Sequence, residues 1–284
     1  MKFSVFTVMV PELTPEELLV SLKEFGYDGV EWRCKETPEQ LKQQEPSFWG
    51  NNLCTISPSS RKSQLEQVRS KTKELQLETI SVNPYLSCED LAETEKVLKV
   101  AQELGATMMR VGVPTYDRSE NYNHLFKRAR RYLHEVEEMC QQYQIKGLVE
   151  THHKTITPSA SLAHRLVDQL NPEYIGVLYD PGNMVFEGYE NHRMGLELLG
   201  PYLAHVHMKN AKWETNGQRE DSSVIWDASW VAVEKGVVDW KQVVKDLQAV
   251  GYEGYIGMED FSGTFGAIES LKQNIEYIKQ LVIR

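Results

Sequence analysis

At 284 residues, with 41% hydrophobic and 25% charged side chains, the chain sits near the globular norm, so a packed core is expected and disorder is excluded. Its 31 Lys and Arg against 41 Asp and Glu leave a net charge of −10, which repels polyanions and argues against general nucleic-acid binding. The four cysteines (34, 54, 88 and 140) form no CxxC pair, which removes a structural zinc cluster and a disulfide framework and fits reduced thiols in a cytoplasm.

The apolar opening "KFSVFTVM" is broken by Ser4 and Thr7, lacks a small-residue cleavage site and runs into Pro11-Glu12. It reads as a first strand, not a signal peptide. Thr14-Pro15-Glu16-Glu17 then gives an N-cap, a proline at the first helical position and an acidic first turn. Gly26 closes that helix and leads into a second strand, "DGVEWR". Further strands are predicted at "ETISVNPY" from Glu78, "TMMRVGVP" from Thr107, "KGLVETHH" from Lys146, "IGVLYDP" from Ile175, "LAHVHMKN" from Leu203 and "YIGMED" from Tyr255. Helical spacing separates them, as in Leu125, Ala129, Tyr132, Val136, Met139 and Tyr143, and again in Ile268, Leu271, Ile275, Ile278 and Leu281. "AVGYEGYIGME" near the end repeats the pattern of "EFGYDGVEW" near the start, with Gly251 in the place of Gly26.

Eight strands alternating with about eight helices predict a single-domain (β/α)8 TIM barrel over 1–284. A doubly wound open sheet is the rival, but "TVMVPELTPEE" lacks the glycine-rich turn that such a sheet places after its first strand. Residues 211–238, with Trp213, Trp226 and Trp230, are too many for a plain connection and read as an insertion serving as a lid, a hairpin or an oligomer contact. No stretch reaches the roughly 18 apolar residues of a membrane helix.

In such barrels chemistry gathers at the C-terminal ends of the strands. Four of these ends in succession carry Glu150, Asp180, His207 and Glu259. Three carboxylates and one imidazole without sulfur suit one divalent ion such as Mn²⁺, Co²⁺, Mg²⁺ or Zn²⁺. His205 and His207 share a strand face, but His207 lies about 6.6 Å nearer the mouth, so His207 is the expected ligand and His205 the residue beneath it.

With these motifs the chain resembles the sugar isomerase/epimerase superfamily with a xylose isomerase-like barrel, whose members include D-tagatose 3-epimerase-type enzymes, inosose dehydratases and endonuclease IV-type nucleases. The resemblance rests on "GYDGVEWR", "ETHH", "YDPGN", "HVHMKN" and "GMEDFSG" and spans essentially the whole chain. It implies that Glu150, Asp180, His207 and Glu259 bind one metal, and that Glu150 and Glu259 also move a proton beside a sugar carbonyl through a metal-stabilised enediolate. It further implies an isomerase or epimerase acting on a sugar, sugar phosphate or polyol, with an inosose-type dehydratase as the alternative. A non-catalytic sugar-binding protein is the alternative of another class. The nuclease fits least, because Asn183 stands where those enzymes and many epimerases place a histidine. His152, Asn183, Lys209 and Arg110 are the expected substrate contacts, with a barrel-core ion pair the rival role for Arg110. His153 is expected to point away from the site. Glu31 and Arg33 are read as partners of each other. Neither a nucleic acid nor a membrane is an expected partner, and a homo-oligomer stays open.

Overall fold

The computed structural model describes residues 1–282; the last two residues of the expected 1–284 domain lie outside the described residues. In chain order its strands are β1 (Lys2–Phe6), β2 (Gly29–Cys34), β3 (Thr55–Ile56), β4 (Glu78–Pro84), β5 (Met108–Arg110), β6 (Lys146–Glu150), β7 (Ile175–Tyr179), β8 (Leu203–Met208), β9 (Asn210–Gln218), β10 (Val224–Val231) and β11 (Tyr255–Met258). Its helices are α1 (Pro15–Phe25), α2 (Lys62–Glu74), α3 (Leu91–Leu104), α4 (Tyr122–Tyr143), α5 (Ala160–Val167), α6 (Pro181–Glu187), α7 (His192–Leu199), α8 (Trp240–Ala249) and α9 (Ala267–Val282).

β1 pairs in parallel with β2 on one side and β11 on the other, and this double pairing closes the sheet. The ring runs β1-β2-β4-β5-β6-β7-β8-β11 and back to β1, all parallel, with the two-residue β3 added beside the end of β2. Closure leaves no unpaired edge in the barrel. All eight predicted strands are present, but most end earlier than the apolar pattern suggested. The residues "THH" after β6 and "ED" after β11 belong to loops at the mouth, and after β7 Asp180 caps α6, which begins at Pro181.

The helices follow from local signals. Thr14 and Glu17 form a reciprocal capping box at the start of α1, with Pro15 at the first position. Gly26 and Gly251 both turn the chain in the left-handed region, at φ 78° and 75°, as C-terminal helix signals require. Leu18 and Leu22 of α1, Leu98 of α3, Leu133 of α4 and Ile275 of α9 pack the layer between helices and sheet. Ile268 departs from the predicted stripe on α9 and is 45% exposed. Ala267, one residue earlier, takes the inward place in that first turn.

The insertion folds as an antiparallel hairpin, β9 against β10, joined to β8 with only Lys209 between them. Cross-strand pairing of Trp213 with Ala228 and of Ala211 with Trp230 puts Trp213 and Trp230 on one face. That face meets Phe186 of α6, whose ring lies 4.8 Å from Trp230 and 6.4 Å from Trp213. The barrel interior under the mouth is polar, not aliphatic: Ser4, Glu31, Ser81, Asn83, His205 and His207 are all fully buried.

Candidate metal centre and substrate cavity

Glu150 ends β6, Asp180 follows β7, His207 lies in β8 and Glu259 follows β11. Each offers one ligand atom, and these atoms all lie within 4.8 Å of one another. Asp180 is fixed by its own chain. It caps α6, with Pro181 at the first helical position, and its Oδ1 accepts the Asn183 N–H at 2.9 Å. His207 Nδ1 has no hydrogen-bond partner and faces Glu259 at 3.4 Å, Asp180 at 3.9 Å and Glu150 at 4.0 Å. A buried ring nitrogen without a partner, aimed into three buried carboxylates, is a donor set that fits a divalent cation. Gathering three carboxylates out of water is otherwise costly. Burial pushes the Asp180 carboxyl up to about 7, against the pull of Lys209.

Beneath the cluster sits Glu31, a fully buried acid expected only to pair with Arg33. Its Oε2 lies 2.8 Å from His207 Nε2, while its Oε1 lies 2.9 Å from His205 Nε2 without the alignment of a hydrogen bond. Ser4 Oγ donates to it at 2.7 Å, and Ser81 Oγ and Asn83 Nδ2 donate at 3.2 Å each. A Cβ at Gly257 of β11 would stand 1.9 Å from Glu31 Oε1, so that glycine makes room for the carboxylate. Glu31 therefore holds His207 by its far nitrogen and leaves Nδ1 turned to the carboxylates, an arrangement that commonly orients metal-binding histidines. The expected Glu31–Arg33 pairing is not formed. The two share a face of β2 but lie one layer apart, and the Arg33 guanidinium instead donates to Thr55 Oγ1 at 2.5 Å.

The other sequence-predicted residues surround the cluster. Arg110 Nη1 donates to Glu150 Oε2 at 2.7 Å and Nη2 to the Pro84 carbonyl at 2.9 Å. Burial alone would raise the Glu150 pKa, yet Arg110 and its other cationic neighbours hold it at about 2. Lys209 Nζ reaches Asp180 Oδ2 at 2.9 Å and also contacts Glu259, so it neutralises two acids of the cluster. Asn183 Nδ2 donates to Asp180 Oδ2 at 2.9 Å and Glu150 Oε1 at 3.1 Å, and its Oδ1 meets His153 Nδ1 at 3.2 Å. The amide of Asn183 is thus spent on fixing two acids. His152 lines the cavity, its Nδ1 bonded to the His153 carbonyl at 2.7 Å.

His153 does not point away, as strand alternation predicted. β6 ends at Glu150, so period-two alternation stops before this residue. Its ring stacks on His152 and on Phe186, with centroids 4.4 Å away in both cases, and it lines the cavity. Burial lowers its pKa to about 4. The cavity has a volume of about 390 Å³, within the range of small-molecule sites. Sequence reasoning missed its aromatic walls, among them Phe6, Trp49, Tyr85 and Phe261. Phe6 stacks on His207 at 5.7 Å.

A closed parallel barrel with a cluster of groups that could hold a metal at its C-terminal mouth defines the class. The chain belongs to the xylose isomerase-like TIM barrel family, whose model matches residues 19–281. An inosose dehydratase of Geobacillus thermodenitrificans is 35% identical over 100 residues, 34% of this chain and 33% of that protein. The chain therefore matches only about a third of that relative's length, and 42% of the inosose dehydratase of Geobacillus kaustophilus, at 24% identity over 45% of this chain. Among solved structures, the IOLI protein with a bound zinc atom superposes with a TM-score of 0.75 at 16% identity, over 99% of this chain and 98% of that one. The 3-keto-D-glucoside 4-epimerase of E. coli superposes with a TM-score of 0.71 at 16% identity, over 99% of both chains. These structural likenesses establish the fold.

Proposed function

We propose that this protein is a divalent-metal-dependent isomerase or epimerase that moves a proton on the carbon next to the carbonyl of a sugar or polyol. The observation that carries this reading is the meeting of one unpartnered imidazole nitrogen and three carboxylates, from four successive strand ends, beside a sugar-sized cavity. An ion held by Glu150, Asp180, His207 and Glu259 would polarise the substrate carbonyl and acidify the neighbouring C–H; manganese is the first ion to load. Glu150 and Glu259 reach the cavity from strands separated by β7 and β8, so a sugar seated between them meets a carboxylate from two directions. One takes the proton and the other returns it. Arg110 keeps Glu150 ionised, and Lys209 does the same for Glu259, whose pKa is lowered despite its burial. The side of return decides between epimerisation and isomerisation.

The match to an inosose dehydratase favours a second reading, in which the same proton removal is followed by loss of a β-hydroxyl. Free thiols at all four cysteines suit a cytoplasmic enzyme. The test is turnover in D₂O of ketoses, sugar phosphates and inososes by the metal-loaded protein, followed by NMR. Deuterium should enter beside the carbonyl, and Glu150→Gln and Glu259→Gln should each slow its entry by about 100-fold or more. Undiminished exchange in both variants would sink the mechanism. Loss of water from an inosose would select the dehydratase.

A further inference from the structure

The outer wall of the cavity is aromatic, and proton transfer makes no use of it. Trp49 lies between β2 and β3 and is 54% exposed; Tyr85, just after β4, is 42% exposed. Both line the cavity. The Trp49 ring is 4.9 Å from Phe261 and 6.4 Å from Tyr85, nearly perpendicular to the latter at 84°. Trp230 of the hairpin continues the wall, 6.0 Å from Phe261. Solvent is a poor place for such rings unless a ligand covers them.

The segment that carries Trp49 is held from below. Arg33, 1% exposed, reaches the Trp49 carbonyl with Nη2 at 3.4 Å while its other arm holds Thr55. Asn52, 3% exposed, donates to the Val8 carbonyl at 3.0 Å. A guanidinium and an amide are thus buried under a segment whose own indole stays half in water. Burying polar groups to fix a side chain that joins no core is the pattern of a preformed binding surface.

Charge narrows the ligand. The Lys and Arg residues lining the cavity are Arg110 and Lys209, and both sit on carboxylates of the cluster. Among the described residues neither of these two is left over for a phosphate, and the exposed Lys35, whose Nζ lies 5.3 Å over the Tyr85 ring, stands outside the lining. We infer that the cavity mouth is a second-ring subsite, where Trp49, Tyr85 and Phe261 wall in a further ring, sugar or aryl, joined by a glycosidic bond to the sugar that meets Glu150 and Glu259. The inner half of this placement rests on the proton-transfer reading above. Because a glycosidic bond locks the anomeric carbon, the reacting carbonyl of such a substrate is a ketone within the ring.

Binding tests this apart from turnover. Unoxidised methyl and phenyl pyranosides of glucose, galactose and mannose, with cellobiose and maltose, are titrated into the manganese-loaded full chain by calorimetry. A ring-bearing ligand should bind about 10-fold more tightly than its methyl counterpart, and Trp49→Ala and Tyr85→Ala should each shrink that ratio toward one. The phenyl and disaccharide arms separate an aryl ring from a sugar ring. Equal affinity for methyl and ring-bearing ligands, an unchanged ratio in both variants, or no saturable binding of any ring-bearing ligand would overturn the inference. Deuterium exchange that succeeds while the ratio stays at one would leave the proton-transfer reading standing and remove the subsite alone.

Discussion

His207 turns Nδ1 toward three carboxylates because Glu31 holds its far nitrogen at 2.8 Å. Height along the strand separates His207 from His205 on sequence alone, because only the mouth holds carboxylates. Glu31 was illegible: nothing in "DGVEWR" announces two imidazoles 176 and 174 residues further on. Its one visible signal was an acid on an apolar strand, facing the barrel interior. Glu31 is here a positioning residue, acting through His207. Glu31→Gln should lower metal affinity by about 10- to 100-fold in a calorimetric titration while the far-UV spectrum stays native. Unchanged affinity would reduce Glu31 to packing. His153 was misjudged because alternation was carried past the end of β6. Its folded pKa of about 4 lies below the ordinary 6.5, so the ring binds its proton more readily in the unfolded chain. The stability it contributes is complete above about pH 6.5 and is lost as pH falls through about 4. An NMR titration of its imidazole C–H should give a midpoint near 4; a midpoint near 6.5 would contradict the buried stack.

Among the elements, apolar runs and helix signals were enough to find all eight barrel strands and the N-cap of α1, though not the reciprocal bond from Glu17. Thr14→Ala removes an N-cap that accepts the Glu17 N–H, and should cost about 1 kcal/mol in denaturant unfolding. Strand ends were less legible, because polar residues that close the mouth continue the reading of a strand after its ladder has stopped. The hairpin was one of three options for 211–238, and pairing across β9 and β10 cannot be read from either strand alone. Gly257 makes the element scale testable. Gly257→Ala places a methyl group against the Glu31 carboxylate, so β11 and Glu31 cannot both keep their places. The variant should lose metal affinity to the same degree as Glu31→Gln; wild-type affinity would show that the cradle is dispensable.

For the whole molecule, alternation of strand and helix foretold a closed barrel, and closure brings together groups from residues 31 to 259. Four strand-end residues were readable because the fold assigns chemistry to that face. The aromatic wall was not, since Trp49 and Tyr85 come from connections whose course only packing decides. The charges also set the stability of the metal-free protein. Arg110 and Lys209 already neutralise the three carboxylates in part, so chelation should lower the melting temperature without unfolding the barrel. At a metal concentration of 100 times Kd, the ion's contribution is about 2.7 kcal/mol. Lys209→Met should enlarge the drop in melting temperature on EDTA treatment, because two acids then depend on the ion alone.

Glu150, Asp180, His207 and Glu259 are placed to hold one divalent ion between them. Metal content of the dialysed, manganese-loaded protein, counted per chain beside Asp180→Ala and His207→Ala, tests this most directly. One equivalent is expected in the native protein and close to none in either variant. Several equivalents per chain, or one equivalent retained in both variants, would contradict it.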